Sequence, residues 1–281
     1  MDTNEKILNL RADVRSLGSA VIAFSGGTDS TLLARIASEE LPGRFVLVMA
    51  DFEGVQREEM RRAGDIAVSL NCELIIVKPD MLNNPGFAEN GPERCYHCKK
   101  KLIEEINTIK VERGYEHIAD GTNADDLLDY RPGARAAAEA GVKNPIADAL
   151  MSKEEVRVVS KMLGLPNWEL PAQACLASRV AYGMEITAEK LGRIEKAEKK
   201  VKLITGSKNA RVRDHGELAR IELSPETISH AASSETARLL VDALVELGYH
   251  YITLDLRGYR TGSMNELLEE VSAEKPGKNG K

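Results

Sequence analysis

The sequence is poor in aromatic residues and has no excess of positive charge, and both shortages bear on nucleic-acid binding. Phe, Tyr and Trp make up 4% of the 281 residues, too few to predict the stacking platform of single-strand binders. Lys and Arg number 38 against 44 Asp and Glu, and the net charge of −6 argues against general affinity for duplex DNA. We therefore do not expect a nucleic-acid partner, although a local basic pocket is compatible with this balance.

Long hydrophobic runs and a large cysteine count are also missing. No apolar run approaches the roughly 18 residues that a membrane span needs. Residues 1–6 lack the charged-then-apolar pattern of a secretion signal. Four cysteines are too few for a disulfide scaffold of this size, so in a reducing cytosol they indicate core, metal-binding or catalytic positions. The sequence thus predicts a cytoplasmic protein that does not span a membrane.

The first half of the chain alternates short β-rich runs with helical patterns, which is typical of parallel βαβ units in a doubly wound sheet. The strands are predicted at 20–24, 44–50, 73–77 and 116–119. The helices are predicted at 31–39, 56–70, 99–113, 132–140 and 152–163. Ser152 followed by Glu155 predicts a capping box at the start of the last helix.

The pattern changes near residues 166–171, where the second half begins. The predicted elements are a charged helix at 188–204, short strands at 210–214 and 219–223, a helix at 235–247 and a strand at 251–256. We expect an α/β domain with a mostly parallel sheet at 1–168, a smaller α+β domain at 169–273 and a disordered tail at 274–281. The charged helix is interpreted as a solvated or subunit-facing surface of a homo-oligomer rather than as a site.

The strongest local signal is SGGTDS at residues 25–30, which follows a predicted strand and opens a helix. Gly26 and Gly27 let the backbone approach a ligand, and the helix N-terminus adds partial positive charge, so the loop can hold phosphate. It is not a Walker A loop, which needs Gly-x4-Gly-Lys-Ser/Thr. The alternative is a glycine-rich turn that only joins strand to helix.

This hexamer resembles the PP-loop of the ATP pyrophosphatase superfamily. Members of that superfamily bind ATP, release pyrophosphate and adenylylate a substrate before a nucleophile displaces AMP. The resemblance implies a doubly wound sheet and a loop that holds the pyrophosphate portion of ATP. Ser25 and Ser30 can add hydroxyl donors there, and Asp29 can help hold a metal or order the loop. The residues expected to border the adenosine are Met49, Ala50 and Asp51.

A second segment, residues 120–126, follows the fourth predicted strand at the edge where ligands of such sheets lie. Its candidate nucleotide contacts are Gly121, Thr122 and Asn123. Asp125 and Asp126 are Mg²⁺ candidates, and an acidic pair at a helix N-terminus explains them equally well.

The cysteines form a C-x2-C pair, Cys95 and Cys98, and a distant residue, Cys175. Two thiolates at the first spacing can share a metal or a cluster. The three together can bind a [4Fe–4S] cluster whose open iron holds a hydrosulfide, or Cys175 can supply its own sulfur. Cys72, at the start of a buried strand, is interpreted as core. His97 is interpreted as a loop residue, or as one that supports the ligands, rather than as a ligand itself.

Four longer segments narrow the resemblance to the LarE family. They are GTNADDLLDYRPGARAAAEAGVKNPI (121–146), PAQACLASRVAYG (171–183), RVRDHGELARIE (211–222) and LDLRGYRTGSMNE (254–266). This family implies an ATP-dependent sulfur transferase that uses Mg²⁺. It converts the carboxylates of pyridinium-3,5-biscarboxylic acid mononucleotide to thiocarboxylates, for the nickel-pincer nucleotide cofactor of lactate racemase. The sulfur would come from a sulfide source or another donor.

Within that family, the position that matches Cys175 either sacrifices its sulfur or joins two further cysteines in a catalytic [4Fe–4S] cluster. This chain carries Cys95 and Cys98 as well, so it resembles the cluster type.

Arginines on a predicted strand are candidates for the phosphate of a nucleotide substrate. Arg211 and Arg213 alternate along the strand and therefore point to one face, where they can clamp phosphate; the alternative is a solvated strand face. Glu222, on the neighbouring strand, can pair with them or hold metal. Other candidate substrate contacts are Lys99, Ser178 and Arg179.

Three other functions stay open at this point. A cluster-dependent tRNA thiolase would use the same loop and cysteines, but it would be expected to carry a basic RNA surface and further cysteine-rich modules. An amide-forming PP-loop synthetase would leave the cysteines unexplained. A carrier of zinc or an iron–sulfur cluster would leave the intact phosphate loop unexplained.

Overall fold

The computed structural model describes residues 2–128, 132–171 and 174–260, and the chain divides into two compact units. The first unit comprises Met1–Phe87 and Glu93–Gln173. The second comprises Ala88–Pro92 and the chain from Ala174 onward. The expected tail at 274–281 lies outside the described residues.

The first unit contains a four-stranded sheet in which all neighbouring strands are parallel, in the order β3-β2-β1-β4. The strands are β1 (Ala20–Ala23), β2 (Phe45–Ala50), β3 (Leu74–Val77) and β4 (His117–Ala119). All four predicted strands are confirmed, each shorter by one residue at one end. The predicted α/β class with a parallel sheet is confirmed as well.

Helices surround this sheet. They are α1 (Thr3–Ser16), α2 (Thr28–Glu40), α3 (Arg57–Ser69), α4 (Pro85–Ala88), α5 (Arg94–Arg113), α6 (Pro132–Glu139), α7 (Pro145–Asp148) and α8 (Lys153–Met162). The capping box predicted from Ser152 and Glu155 is present at the start of α8. The sequence did not predict α1, which also begins with a capping box, from Asp2 and Glu5.

The sheet is buried on both faces, because its central strands carry apolar residues at every position. Ala20 and Ile22 of β1 face one hydrophobic cluster, and Val21 between them faces the other. In β2, Leu47 and Val48 divide between the two clusters in the same way. This alternation fixes the register of the sheet, since a slip by one residue would exchange the two faces.

Helix α5 corrects the predicted start of a helix at residue 99. It begins at Arg94, because the amides of Tyr96 and His97 both bond to the carbonyl of Glu93, at 2.9 and 3.2 Å. The C-x2-C pair therefore occupies the first turn of a helix. The placement of His97 in a loop was wrong.

The second unit is α+β, with a three-stranded sheet in the order β5-β6-β7. Strands β5 (Ala210–His215) and β6 (Leu218–Leu223) form an antiparallel hairpin, and β7 (Tyr251–Leu254) lies parallel to β6. The helices of this unit are α9 (Ala188–Thr205), α10 (Pro225–Ala231) and α11 (Ser234–Val245).

Across the described residues, no helix combines the length and the apolar content that crossing a bilayer requires.

Candidate active site

The SGGTDS loop lies between the end of β1 and the first turn of α2. Gly27 is the N-cap residue of α2, and its lack of a side chain leaves the first amides of the helix without a side-chain cap. Amides in this position are ready donors to an anion. The hydroxyl oxygens of Ser25 and Ser30 lie 3.1 Å apart across the loop. The loop can therefore surround a phosphate with both backbone and hydroxyl donors.

Gly26 gives this loop its shape. Its φ of +68° lies in the left-handed region, and a Cβ there would lie 2.8 Å from the Cβ of Ala63 on α3. The Gly26 carbonyl accepts a hydrogen bond from the buried side-chain amide of Asn167 at 3.0 Å. The same side-chain amide donates to the Thr31 hydroxyl at 2.8 Å. The backbone carbonyl of Asn167 accepts a hydrogen bond from the Thr28 hydroxyl at 3.0 Å. Asn167 therefore holds the loop at three points, and the sequence did not single it out.

A cavity of about 270 Å³ opens beside the loop. It is lined by Ala23, Phe24, Ser25, Asp29, Ser30, Val48, Ala50, Lys99, Leu102, Asp120, Gly121, Thr122 and Asp126. The structure thus brings eight of the proposed site residues together at one edge of the sheet. They are Ser25, Asp29, Ser30, Ala50, Lys99, Gly121, Thr122 and Asp126.

The segment after β4 approaches the loop closely at Gly121. A Cβ at that position would lie 2.8 Å from the backbone nitrogen of Ser30. Asn123 is not among the lining residues; it is buried, and its side-chain oxygen accepts from the amides of Asp125 and Asp126 at 3.0 and 3.1 Å. This oxygen caps the short 3₁₀ helix Asp125–Leu128 and so orders the acidic pair.

Lys99, from α5, brings a positive charge to the cavity wall. Its ammonium lies 2.7 Å from a carboxylate oxygen of Asp120. Burial alone would raise the pKa of Asp120, but the Lys99 charge and hydrogen bonds from Thr122 outweigh it and lower this pKa from its usual value. The Asp120 carboxylate is therefore ionised at neutral pH and holds Lys99 beside the cavity.

The C-x2-C cysteines project from one turn of α5, since residues three apart share a helix face. The Cys95 thiol is exposed, and that of Cys98 is half-buried. Cys72 is half-buried against the first hydrophobic cluster, and burial raises the pKa of its thiol. This position is that of a core cysteine, as the sequence predicted.

In the second unit, Cys175 is exposed and precedes the short 3₁₀ helix Leu176–Arg179. Arg179 is fully buried, and its guanidinium donates to the carbonyls of Ala174 and Cys175 at 2.6 and 3.1 Å. The same group bonds to the Glu198 carboxylate at 2.8 Å and to the Ser178 hydroxyl at 2.9 Å. Arg179 therefore orders the backbone of the Cys175 loop.

Glu198 lies on the buried face of α9, the helix interpreted from its charges as a solvated or subunit-facing surface. The residue is buried, and besides Arg179 it accepts the backbone amide of Val212 on β5 at 3.3 Å. One face of α9 thus supports the Cys175 loop. The signal in the sequence was a glutamate at the helical spacing of the buried residues Leu191, Ile194, Ala197 and Val201.

Glu222 is fully buried and bonds to two guanidinium groups. Arg213 donates to it at 2.6 Å, and Arg220 donates to its other carboxylate oxygen at 3.2 Å. Arg213 also donates to the Ser178 carbonyl at 3.2 Å. Of the two roles open to Glu222, the geometry shows pairing with arginine.

Arg211 is buried like Arg179 and Arg213, but unlike them it has no ion pair with a described carboxylate. Within the described part of the chain no carboxylate lies within ion-pair distance of it; its guanidinium bonds to the Ala210 carbonyl at 3.1 Å and lies 5.3 Å from the Tyr259 ring centre. Burial, and next the positive charge of Arg179, lower the pKa of Arg211, and the negative charge of Glu198 offsets part of this effect. A buried cation that no carboxylate contacts directly favours an anionic ligand.

The comparisons with known proteins point to two groups of relatives. The chain is 41% identical over 263 residues to an uncharacterised protein of Synechocystis sp., an alignment that covers 94% of this chain and 98% of that one. It is 34% identical over 270 residues to the pyridinium-3,5-bisthiocarboxylic acid mononucleotide synthase of Lactiplantibacillus plantarum, covering 95% and 96%. It is 28% identical over 197 residues to one component of the glutamine-hydrolyzing GMP synthase of Thermoplasma volcanium, covering 65% of this chain and 62% of that one. No protein-family model matches.

Replacing Gly26 with Ala is expected to weaken anion binding at the loop. The new Cβ would meet the Ala63 backbone and side chain in a left-handed conformation, so the loop must move. Strain of this kind corresponds to about a tenfold loss of affinity or more. Calorimetric titration with pyrophosphate measures it. The control is Gly64→Ala on α3, where a Cβ meets open space; equal affinities in the two variants would contradict the prediction.

Replacing Glu198 with Ala is expected to lower the free energy of unfolding by about 3–5 kcal/mol, because Arg179 would stay buried without its carboxylate. Urea denaturation measures this change. Glu189→Ala removes an exposed carboxylate from the first turn of the same helix, and its expected cost is below about 1 kcal/mol. A similar small cost for Glu198→Ala would mean that Arg179 does not depend on Glu198.

Proposed function

Because the chain belongs to the LarE family of PP-loop proteins, we propose that it transfers sulfur to the carboxylates of pyridinium-3,5-biscarboxylic acid mononucleotide in nickel-pincer cofactor biosynthesis. It is an enzyme of the PP-loop ATP pyrophosphatase type, and its relatives imply ATP and Mg²⁺. As part of the same proposal, it works in the cytoplasm as a homo-oligomer and takes sulfur from a sulfide source or another donor.

The cavity at the phosphate loop is the observation that supports the binding of ATP. Uncapped amides of α2, the two loop hydroxyls and Lys99 all lie at its wall. These are the donors that a triphosphate needs, and they are fixed before the ligand arrives. We assign this cavity to ATP, with its phosphates at residues 25–30 and its adenosine towards Ala50.

The reaction follows from the weakness of a carboxylate as an electrophile. A carboxylate oxygen of the substrate attacks the α-phosphorus of ATP, the bond to the β-phosphate oxygen breaks, and pyrophosphate leaves. Hydrosulfide then attacks the acyl carbon, and AMP leaves with the original oxygen. Where the Cys175 thiolate attacks instead, a thioester forms; loss of the Cα proton and cleavage of the Cβ–S bond then release the thiocarboxylate and leave dehydroalanine. The product is a thiocarboxylate, and a second round on the other carboxylate gives the dithiocarboxylate.

Mg²⁺ fits the residues at the cavity. One carboxylate oxygen of Asp29, Oδ1, is buried and has no hydrogen-bond partner among the described residues. Asp126 adds a second carboxylate to the cavity wall. Hard carboxylate oxygens are the ligands that Mg²⁺ prefers, together with phosphate oxygens of its nucleotide. We therefore propose Asp29 and Asp126 as the Mg²⁺ ligands, with Asp125 as a neighbour that orders them; the metal would neutralise phosphate charge.

The substrate nucleotide carries a phosphate of its own, and Arg211 is the residue that supports binding it. Its guanidinium is buried, and no described carboxylate lies within ion-pair distance of it, although the charge of Glu198 acts on it from farther away. Arg213 and Ser178 extend the same region through their hydrogen bond. We propose that the phosphate supplies the counter-ion that Arg211 lacks, while Arg179 positions the Cys175 loop.

The sulfur-carrying group has two candidates, a cluster on three cysteines and the thiol of Cys175. In the part of the chain that the structure describes, no three His, Cys, Asp or Glu side chains are gathered as a metal site. Cys95 and Cys98 belong to the first unit and Cys175 to the second. The cluster on Cys95, Cys98 and Cys175 is proposed from the resemblance alone. The second candidate is Cys175 as a sacrificial donor, favoured by its exposed thiol.

The function is tested by incubating the purified protein with ATP, Mg²⁺, sulfide and the biscarboxylic acid mononucleotide. We expect AMP, pyrophosphate and a product whose mass shows an exchange of oxygen for sulfur. Arg211→Met is expected to raise KM for the mononucleotide about tenfold or more, because a charge-assisted hydrogen bond is lost, and to leave KM for ATP unchanged. The control is Arg257→Met, which removes an exposed arginine and is expected to leave KM for the mononucleotide unchanged. ATP turnover that responds to tRNA and not to the mononucleotide would contradict the proposal.

The two sulfur mechanisms are separated by metal analysis. Protein purified without oxygen is reconstituted with iron and sulfide, and both are quantified with the visible spectrum. A cluster predicts about four irons and four sulfides per chain, lost in Cys95→Ala and retained in the core variant Cys72→Ala. No cluster in any of the three proteins, together with conversion of Cys175 to dehydroalanine after turnover, would select the sacrificial mechanism.

A further inference from the structure

Asn167 reaches the phosphate loop from a turn that follows α8, outside the loop motif itself. The first residue of α8, Lys153, forms an ion pair with Asp29 of the loop, so this helix lies beside it. The turn is closed by a hydrogen bond of 3.1 Å from the Leu170 amide to the Asn167 carbonyl. Arg157 of α8 donates to the Leu170 carbonyl at 3.3 Å. The backbone of Asn167 is therefore placed by its own turn and by α8.

The side-chain amide of Asn167 can lie in only one way. Its nitrogen donates to the Gly26 carbonyl at 3.0 Å and to the Thr31 hydroxyl at 2.8 Å. Exchanging its nitrogen and oxygen would bring two carbonyl oxygens face to face at Gly26, and neither carries a proton to share. Oδ1 is buried and has no hydrogen-bond partner among the described residues. Because an unpaired buried acceptor costs free energy, the amide keeps this orientation for its two donor bonds.

The bond to the Gly26 carbonyl also sets the direction of the Gly27 N–H. A trans peptide is planar, so its carbonyl and its N–H point to opposite sides. The carbonyl of the Gly26–Gly27 peptide faces Asn167, and its N–H donates to the Ser25 hydroxyl oxygen at 3.3 Å. Ser25 lines the cavity. Two successive glycines are conformationally free, so this peptide depends on outside contacts for its orientation.

We propose that Asn167 is a positioning residue of the ATP site, which holds the Gly26–Gly27 peptide with its N–H turned towards the phosphates. It acts through the backbone and contacts no ligand itself. Rotation of this peptide would turn a carbonyl oxygen towards the anion in place of the N–H, and an attractive dipole would become a repulsive one. This inference rests on the ATP-binding part of the proposed function, and it does not depend on the identity of the sulfur acceptor.

A purely structural role for Asn167 makes a different prediction. Thr31 accepts the second bond from the same nitrogen, and it lies beyond the loop, in the buried body of α2. If Asn167 only tied its turn to α2, removing either bond would affect stability and anion binding alike. If Asn167 positions the peptide, only loss of the Gly26 bond lowers the affinity for an anion. The Thr31 bond therefore provides the matched comparison.

The experiment compares the full-length protein with Asn167→Ala and with Thr31→Val. Pyrophosphate binding is measured by calorimetric titration at a temperature at which thermal unfolding shows all three proteins folded. Both variants should unfold at a lower temperature than the wild type, because each leaves a buried polar group without its partner. Only Asn167→Ala should bind pyrophosphate about tenfold or more weakly, because the Gly27 N–H is no longer held towards the anion.

A second variant, Asn167→Asp, tests the donor itself. An ionised carboxylate cannot donate to the Gly26 carbonyl, whereas a protonated carboxyl can do so through its O–H. Burial raises the pKa of a carboxyl, so lowering the pH from about 8 to about 5 should restore the donor. The pyrophosphate affinity of this variant, divided by that of the wild type at the same pH, should therefore rise as the pH falls. The same ratio for Asn167→Ala should stay constant.

The outcomes separate the inference from the function on which it rests. Wild-type affinity in Asn167→Ala, an equal loss in Thr31→Val, or a pH-independent ratio for Asn167→Asp would overturn the inference, while wild-type binding of pyrophosphate and ATP upholds the ATP site. If Asn167→Ala does not fold, the pH series of Asn167→Asp decides. Failure of the wild-type protein to bind either ligand would overturn both. Absence of sulfur transfer with these affinity differences intact would refute only the proposed acceptor.

Discussion

The close approach of two backbone segments at the carboxyl edge of the parallel sheet is the constraint on which the first unit depends. Strands β1 and β4 are neighbours and run in the same direction, so the segments that follow them meet at one edge. There, Gly121 lies so near the start of α2 that a side chain would strike the backbone of Ser30. As a result of this pairing, one cavity is lined by the phosphate loop, Asp126 and Lys99.

The two units handle negative charge by different means. At the phosphate loop, the cations are lysines whose ammonium groups stay partly exposed and are paired with Asp29 and Asp120. Such charges can exchange partners when a highly charged ligand enters. In the second unit the cations are guanidiniums held rigidly in the interior, with Arg179 and Arg213 each fixed by a buried carboxylate. Arg211 is the exception there, since no described carboxylate lies within ion-pair distance of it.

Much of the first unit could be predicted because its signals are local. The alternation of apolar runs with helical patterns indicated the four strands, and the glycines and hydroxyls of residues 25–30 indicated an anion loop from their order alone. The start of α5 could not be predicted in this way. No side-chain cap marks it, and it is set by bonds from Tyr96 and His97 to the Glu93 carbonyl.

The sequence by itself determined the phosphate loop, the parallel sheet and the spacing of the cysteines, because each depends on residues close together in the chain. Only the tertiary structure decided which distant groups complete the sites. Lys153 lies 124 residues after Asp29, and Asn167 lies 141 residues after the carbonyl it holds. The burial of Glu198 could not be predicted, because many other residues of α9 are charged too. Its contact with Arg179 follows from how that helix packs on β5. Polar residues of this kind carry no local signal, since their roles come from partners that folding brings to them.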